Sequence, residues 1–343
     1  MGKCGNGEIV ASVRVDFERM TKTPKGASAD ELAEMLASPD EGLWREIFAA
    51  AREVKVRCGK AETLPRGLIE CSNICAKDCF YCGIRKGNAK VTRYLIPEEE
   101  VAACIDEARR RGYPAVAFQA GEIESEANTA YYERLTAYAA GRAAVAERRA
   151  LPLEVTLSLG EQTEEVYRRW KDAGAMRYLI RIETSNRELY AKIHPADCSF
   201  ERRLGCIRTL KRLGYVTGSG VMIGLPGQTV EDLANDIVFF GEENLDMVGM
   251  GPYVPTPGTP LGNLDCSRQQ LTAVELGLKM IALTRLYLHG VNIVAATALE
   301  ALDPEGGRNR GIEAGANVVM PLLTPEKYRR CYDLYPGKNE VVL

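Results

Sequence analysis

Long apolar runs are missing from this chain. No stretch of 18 consecutive apolar residues occurs, so a membrane-spanning helix is not expected. No signal-like apolar segment follows Met1, which predicts a cytoplasmic protein. An excess of one charge is missing as well: 44 Lys plus Arg stand against 47 Asp plus Glu, a net charge of -3. That balance gives no reason to expect a nucleic-acid or membrane-surface partner. There is no low-complexity linker and no short internal repeat. A phosphate loop is excluded because no glycine-rich turn ends in Gly-Lys-Ser/Thr, and no nicotinamide-type fingerprint occurs. What remains is 343 residues of which 46% are apolar. A chain of that size buries roughly three quarters of its surface, which excludes intrinsic disorder.

Cysteine, by contrast, is plentiful. Eleven are present, at positions 4, 58, 71, 75, 79, 82, 104, 198, 206, 266 and 331. The odd count argues against a disulfide scaffold and for a reducing compartment. Four of them, Cys71, Cys75, Cys79 and Cys82, crowd into twelve positions.

The first sixty residues read as helical, with a capping-box spacing from Ser28 to Glu31 and an apolar face of Trp44, Ile47, Phe48 and Ala51. From residue 67 short apolar runs alternate with helical stretches. Strands are predicted at Leu68–Glu70, Ala115–Gln119, Glu154–Leu159, Tyr178–Ile182, Thr217–Ile223, Met247–Met250, Asn292–Ala296 and Asn317–Met320. Helices are predicted at 97–111, 127–147, 162–173, 199–213, 230–241, 268–288 and 306–313, with Gly112, Gly174 and Gly214 as stops. Eight strands alternating with helices point to an α/β fold, a parallel (β/α)8 TIM barrel, with a doubly wound open sheet as competitor. The expected division is a helical extension over 1–60 and a barrel with a C-terminal cover over 61–343. A barrel gathers its chemistry from the loops at one face, and the unusual residues of this sequence fall in those loops.

The sharpest of them is Cys75-Ala-Lys-Asp-Cys79-Phe-Tyr-Cys82, directly after the first strand. Three thiolates at spacings of four and three suit an iron–sulfur cluster held by a wrapping loop. Structural zinc normally takes four protein ligands. Cys71 is near enough to be a fourth, but it belongs to the preceding strand and should face away. Three ligands on a [4Fe-4S] cluster leave one iron open to a small molecule. Two further strand ends carry charge: Gln119-Ala-Gly-Glu122, where a carboxylate can accept from an ammonium, and Arg181-Ile-Glu183, where alternation puts a cation and an anion on one side. The proline-rich segment 249–260 should leave strand geometry and form a stiff cover over the mouth.

The three-cysteine pattern with an aromatic before its last member resembles the radical S-adenosylmethionine (SAM) superfamily. The resemblance implies a [4Fe-4S] cluster on Cys75, Cys79 and Cys82, which are also the catalytic cysteines. SAM would occupy the open iron, and its reductive cleavage would yield a 5′-deoxyadenosyl radical. It implies SAM contacts at Tyr81, Gly121, Glu122, Ser158, Arg181, Glu183 and Arg203, with Met222 and Ile223 against the adenine and Arg202 as the neighbour of Arg203. Cys75–Gly83, Gly220–Thr229, Asp246–Pro252 and Tyr332–Lys338 look like the HydE family of [FeFe]-hydrogenase maturases. That likeness implies an oxygen-sensitive enzyme acting on a sulfur-containing, iron-bound cysteine precursor during organometallic cofactor assembly. Thr156, Met320, Tyr332 and Tyr335 would touch the substrate, a ferredoxin or flavodoxin would donate electrons, and other hydrogenase maturases would be partners.

The sequence departs from that family at Ile182 and Thr256, both histidine positions, at Leu322 for an asparagine, and at Ala295-Ala-Thr-Ala298, which lacks one threonine. These changes are expected to make the pocket less polar. The accessory C-terminal cysteine trio is absent too. Two alternatives stay open: a HydE-like or methylornithine-synthase-like enzyme acting on another small amino-acid or thioether substrate, and a noncatalytic iron–sulfur scaffold.

Overall fold

The computed structural model describes residues 17–143, 152–263 and 267–338. A helical stretch over 17–22 is followed by two helices, α1 (Ala29–Ala37) and α2 (Glu41–Arg57). Ser28 and Glu31 close the expected capping box at the start of α1, and Asp40 caps α2 by accepting from the Gly42 and Leu43 N–H groups.

Parallel strands then alternate with helices. They are β1 (Leu64–Ser72), α3 (Glu98–Arg110), β2 (Ala115–Ala120), α4 (Glu126–Ala139), β3 (Glu154–Ser158), α5 (Glu164–Ala173), β4 (Ala175–Leu179), α6 (Arg187–Ile193), α7 (Phe200–Arg212) and β5 (Val216–Ser219). After a short β6 (Met222–Ile223) come α8 (Val230–Glu242), β7 (Met247–Val248), a short β8 (Gly251–Pro252), α9 (Ser267–Leu288), β9 (Asn292–Ile293), α10 (Thr297–Leu302), α11 (Gly307–Ala314), β10 (Val318–Val319) and α12 (Glu326–Arg329). Eight strands form one parallel sheet in the order β10-β1-β2-β3-β4-β5-β7-β9. A parallel bridge from Val294 to Val318, with Asn317 N–H donating to Ile293 O, joins the two ends of that order. The barrel reading holds, and the open-sheet alternative falls.

Why the strands curl into a ring is visible in their faces. Outward residues such as Ile69, Val116, Phe118, Leu157 and Tyr178 are fully buried beneath the helices, in an apolar cluster that also takes in Leu32, Trp44 and Ile47 from α1 and α2. Trp170 of α5 sits at the centre of one side, stacked on Tyr178 at 6.2 Å and donating from Nε1 to Thr129 O. Fully burying such a side chain contributes about 2–3 kcal/mol. Inward residues alternate with these and line the interior.

Several elements differ from the sequence expectation. β4 starts three residues early and ends at Leu179, because the backbone beyond it turns through Glu183, whose φ is +70°. Glu183 is instead held by an isolated parallel bridge to Val221. Helices α6, α10 and α12 lie where no helix is expected; all are seven residues or shorter. Residues 140–143 lie beyond the end of α4, while 144–147 of the helix expected there fall outside the described residues. The proline-rich segment does pair briefly, as β8 against β6, with Gly251 and Tyr253 donating on either side of Pro252, which has no N–H to give. It then leaves the sheet, and Leu261 N–H donates to Phe80 O. No helix among the described residues is long and apolar enough to cross a membrane.

Candidate active site

The C-terminal ends of the strands open into a cavity of about 330 Å³. The three motif cysteines, Cys75, Cys79 and Cys82, line it together. Their loop is pinned to the end of β2: Ala76 N–H donates to Glu122 O at 2.8 Å, Gly121 N–H to Ser72 O, and Glu122 N–H to Cys75 Sγ at 3.3 Å. Gly121 is required there. A Cβ on it would fall 2.3 Å from the Ile74 carbonyl oxygen and 2.7 Å from Cys75 Cβ, so any side chain would push the cysteine loop away. Burial raises the Cys82 thiol to about 12 and also raises that of Cys75. Cys79 is raised first by a hydrogen bond with Cys198 and then by burial. Cys71 stays out of the cavity: it is fully buried in the apolar core, its Sγ directed to Ile69 O.

Beside the cysteines lies a buried ion network. Lys77, inside the cysteine motif, is 3.1 Å from Glu122 and 3.2 Å from Glu161. Arg203 Nε donates to Glu161 at 2.6 Å, its Nη2 lies 3.6 Å from Glu122, and its Nη1 donates to Arg181 O. Burial lifts the Glu122 carboxyl above its ordinary range. Burial also opposes ionisation of Glu161, but Arg203 and Lys77 outweigh it and hold that group low. Two carboxylates thus face two cations in a nearly dry wall. A ligand that brings both an ammonium and a carboxylate can exchange partners with this set without leaving a buried charge unpaired. Gly160 permits the arrangement: its φ is +76°, and a Cβ there would lie 2.1 Å from Glu122 Oε2. Arg202 is half-exposed and turns to Glu124 and Glu161.

Across the cavity Arg181 pairs with Glu183 at 2.9 Å, the same-side placement that alternation predicts. Tyr81 lies edge-on to His194, ring centroids 5.4 Å apart, with its hydroxyl 3.1 Å from His194 Nε2. His194 Nδ1 is 2.9 Å from the Tyr190 carbonyl, which can only accept, so Nδ1 carries the proton and Tyr81 donates to Nε2. Burial depresses His194 to about 4 and keeps it neutral. Ser158, Met222, Met320, Tyr332 and Tyr335 also line the cavity. Deeper in, Tyr332 is covered by the Lys338 ammonium at 5.0 Å, which pairs with the fully buried Glu70.

Two expected contacts do not reach the wall. Ile223 is buried behind it in β6, and Thr156 lies one layer deeper than Ser158 on the same side of β3, its Oγ1 buried without a hydrogen-bond partner. The expected loss of polarity is narrower than four substitutions suggest. Ala296 lines the cavity, whereas Ile182 is fully buried and Thr256 is taken up by Val254 O and Leu334 O; neither these two nor Leu322 belongs to the lining. Lys77, Glu161, Arg308 and Lys338 were given no role by the sequence reading. Only Lys77 carried a local signal, its place between two motif cysteines.

Among the described residues no three Cys, His, Asp or Glu side chains are gathered closely enough to chelate a single metal ion. A cubane cluster has a different requirement, because each thiolate binds a separate iron and the sulfurs stand apart around a shared space. The thiols on one cavity wall, the Gly121 contact that leaves no room for a side chain and the Glu122 Oε1 that accepts no hydrogen bond apart from its lysine contact fit such a group and a zwitterion beside it.

Comparison with known proteins agrees. The radical SAM superfamily model matches residues 69–240. The chain is 43% identical over 307 residues to the [FeFe] hydrogenase maturase subunit HydE of Thermotoga maritima, covering 90% of this chain and 83% of that protein. It is 25% identical to the 3-methylornithine synthase of Methanosarcina acetivorans, covering 86% and 79%. The crystal structure of the maturase HydG from Carboxydothermus hydrogenoformans superposes with a TM-score of 0.74 at 20% identity, over 92% of this chain and 72% of that one, which shows a shared fold. The chain therefore belongs to the radical SAM superfamily, an enzyme whose membership implies a [4Fe-4S] cluster and SAM.

Proposed function

We propose that this protein is a HydE-like maturase acting on a sulfur-containing, iron-bound cysteine precursor during assembly of an organometallic cofactor. The observation that carries this reading is that three cysteines, Glu122 with Lys77 and Arg203, and the Met320–Tyr332–Tyr335 wall share one cavity. The 43% identity to a maturase subunit over nine tenths of the chain supports it.

Cys75, Cys79 and Cys82 would hold the cluster, which when bound supplies the electron that cleaves SAM to a 5′-deoxyadenosyl radical. Glu122 would receive the SAM ammonium in place of Lys77, and Arg203 would receive its carboxylate in place of Glu161. Tyr81, fixed by His194, and Met222 would flank the adenosine, while Arg181 and Glu183 stand at its polar side. The half-buried Tyr335, its phenol pushed up to about 12 by burial, stays protonated and can donate to an anionic substrate. The β8 segment, tied to the cysteine loop through Leu261 and Phe80, limits water at the mouth. A ferredoxin or flavodoxin would supply electrons, other maturases would take up the product, and the unpaired state of all nine described cysteines suits the cytoplasm. A methylornithine-synthase-like reaction on another amino acid is the second reading, favoured by Ala296 on the cavity wall.

Two experiments separate the levels of this proposal. Anaerobic reconstitution with iron, sulfide, reductant and SAM should release 5′-deoxyadenosine, and Cys79→Ser should abolish that release; turnover by the variant at the wild-type rate would defeat the ligand assignment. Complementation of a strain lacking its maturase should restore assembled hydrogenase activity. No rescue by soluble, cluster-loaded protein would reject the substrate assignment while leaving SAM cleavage intact.

A further inference from the structure

We infer that the outer face of the cysteine loop is the docking site of the electron donor, and that this donor is a small acidic protein of the ferredoxin type. The inference rests on the reading that an external carrier reduces a cluster held by this loop. Apolar exposure is the first observation behind it. Among the described residues four large apolar side chains are exposed, Val56, Ile74, Leu95 and Met176, and two of the four belong to this face. Ser72 pairs with Leu95 in an isolated bridge, Tyr94 N–H donates to Asn73 Oδ1, and Arg93 Nη1 donates to Asn73 O. These contacts lay 93–95 alongside 72–74. Ile74 directly precedes Cys75, so its side chain meets solvent while the neighbouring cysteine lines the cavity.

Charge is the second observation. Between residues 71 and 95 the bases Lys77, Arg85, Lys86, Lys90 and Arg93 stand against Asp78 alone, in a chain whose net charge is -3. Lys77 turns inward to Glu122 and Glu161, and Arg85 pairs with Asp78. Arg93 donates to the carbonyls of Asn73, Ile84 and Arg85. Lys86 is tied to the loop by its N–H, which donates to Lys77 O at 2.8 Å. Lys86 and Lys90 are both exposed and form no ion pair among the described residues. Of the acids that open α3, Glu98 and Glu100 are taken by Arg134 and Lys327, which leaves Glu99 to oppose three cations. A cationic rim around an apolar centre attracts and orients an acidic partner. The face spans one loop, which suits the small, transient contact of a redox pair and hence a ferredoxin over the larger flavodoxin. On docking, the reduced carrier loses one electron and the cluster gains it; no bond is made or broken. Because Ile74 and Cys75 are adjacent, that electron crosses the thickness of a single loop.

The test titrates a two-cluster [4Fe-4S] ferredoxin of low isoelectric point, and separately a flavodoxin, against the full-length protein with and without its cluster. Ferredoxin should bind both forms, more weakly as salt rises. Reversing two charges together, Lys86→Glu with Lys90→Glu, should weaken binding and raise the KM for ferredoxin in SAM cleavage by about tenfold. The kcat with saturating dithionite in place of ferredoxin should stay at the wild-type value. Leu95→Ser should raise the same KM without changing its salt dependence. Lys22→Glu with Arg52→Glu, the same change of charge on the exposed helical extension, should leave binding and KM unaltered. No effect of the Lys86 and Lys90 reversal, an equal loss in the Lys22 and Arg52 control, or binding of flavodoxin alone would overturn the inference. Wild type that cleaves SAM with dithionite but never with bound ferredoxin would instead reject the donor reading, with the mapped contact surface unaffected.

Discussion

His194 is one of two histidines in the chain and sits 2% exposed behind Tyr81. Its folded-state value, about 4 against 6.5 for a free imidazole, makes the unfolded chain the better proton binder between those values. Stability should therefore fall as the pH drops from about 6.5 toward 4, by on the order of 3 kcal/mol in full. Denaturant titrations across that window should show the fall in wild type and a flatter profile in His194→Gln. Asp236 has the opposite sign. Burial raises it to about 7 from 3.8, so its contribution is lost as the pH rises through that interval. Asp236→Asn should raise the melting temperature at pH 8 and leave it nearly unchanged at pH 4. Gly121→Ala should fold but retain less iron after reconstitution, since the added methyl displaces the cysteine loop; iron content equal to wild type would contradict the contact. At this scale the meeting of the cysteines, Glu122 and Arg203 at one cavity was legible, because the cysteine motif is local and charged residues at strand ends converge on one face of a barrel. Lys77 with Glu161 was not legible. Their partners lie in different loops, and no spacing along the chain reports which carboxylate a lysine will meet once three strands have closed around it.

Among the elements, those with strong local signals came through. The helix starts at Ser28 and Thr229 carry capping boxes, and Gly112, Gly174 and Gly214 all have positive φ at helix ends. Short elements did not. Helix α6 is only seven residues long and owes its start to Asn186, which accepts from the Glu188 and Leu189 N–H groups. The end of β4 was hidden for a different reason: alternation continues through Glu183, although the backbone there has already left extended geometry. The packing of α5 gives the sharpest test of an element. Trp170→Ala should cost about 3–5 kcal/mol, because Tyr132, Tyr167 and Tyr178 frame a space that cannot collapse. Urea titration measures the loss, and a cost below 1 kcal/mol would mean that the aromatic group repacks.

For the whole molecule, the barrel was readable from the count of alternating segments, and the buried ion pair beside Tyr332 was not. Lys338 is separated from Glu70 by 268 positions, yet the two form a buried ion pair on the cavity side of Tyr332. Lys338→Met should destabilise the fold by about 3–5 kcal/mol by leaving a lone buried carboxylate, and Glu70→Gln in the same chain should recover much of that. Thermal unfolding of the single and double variants decides it.

The same pair has a consequence for the order in which the ring closes. The acid sits on the first strand and its lysine follows the last, so neither charge can leave water until the strands between them have come together around both.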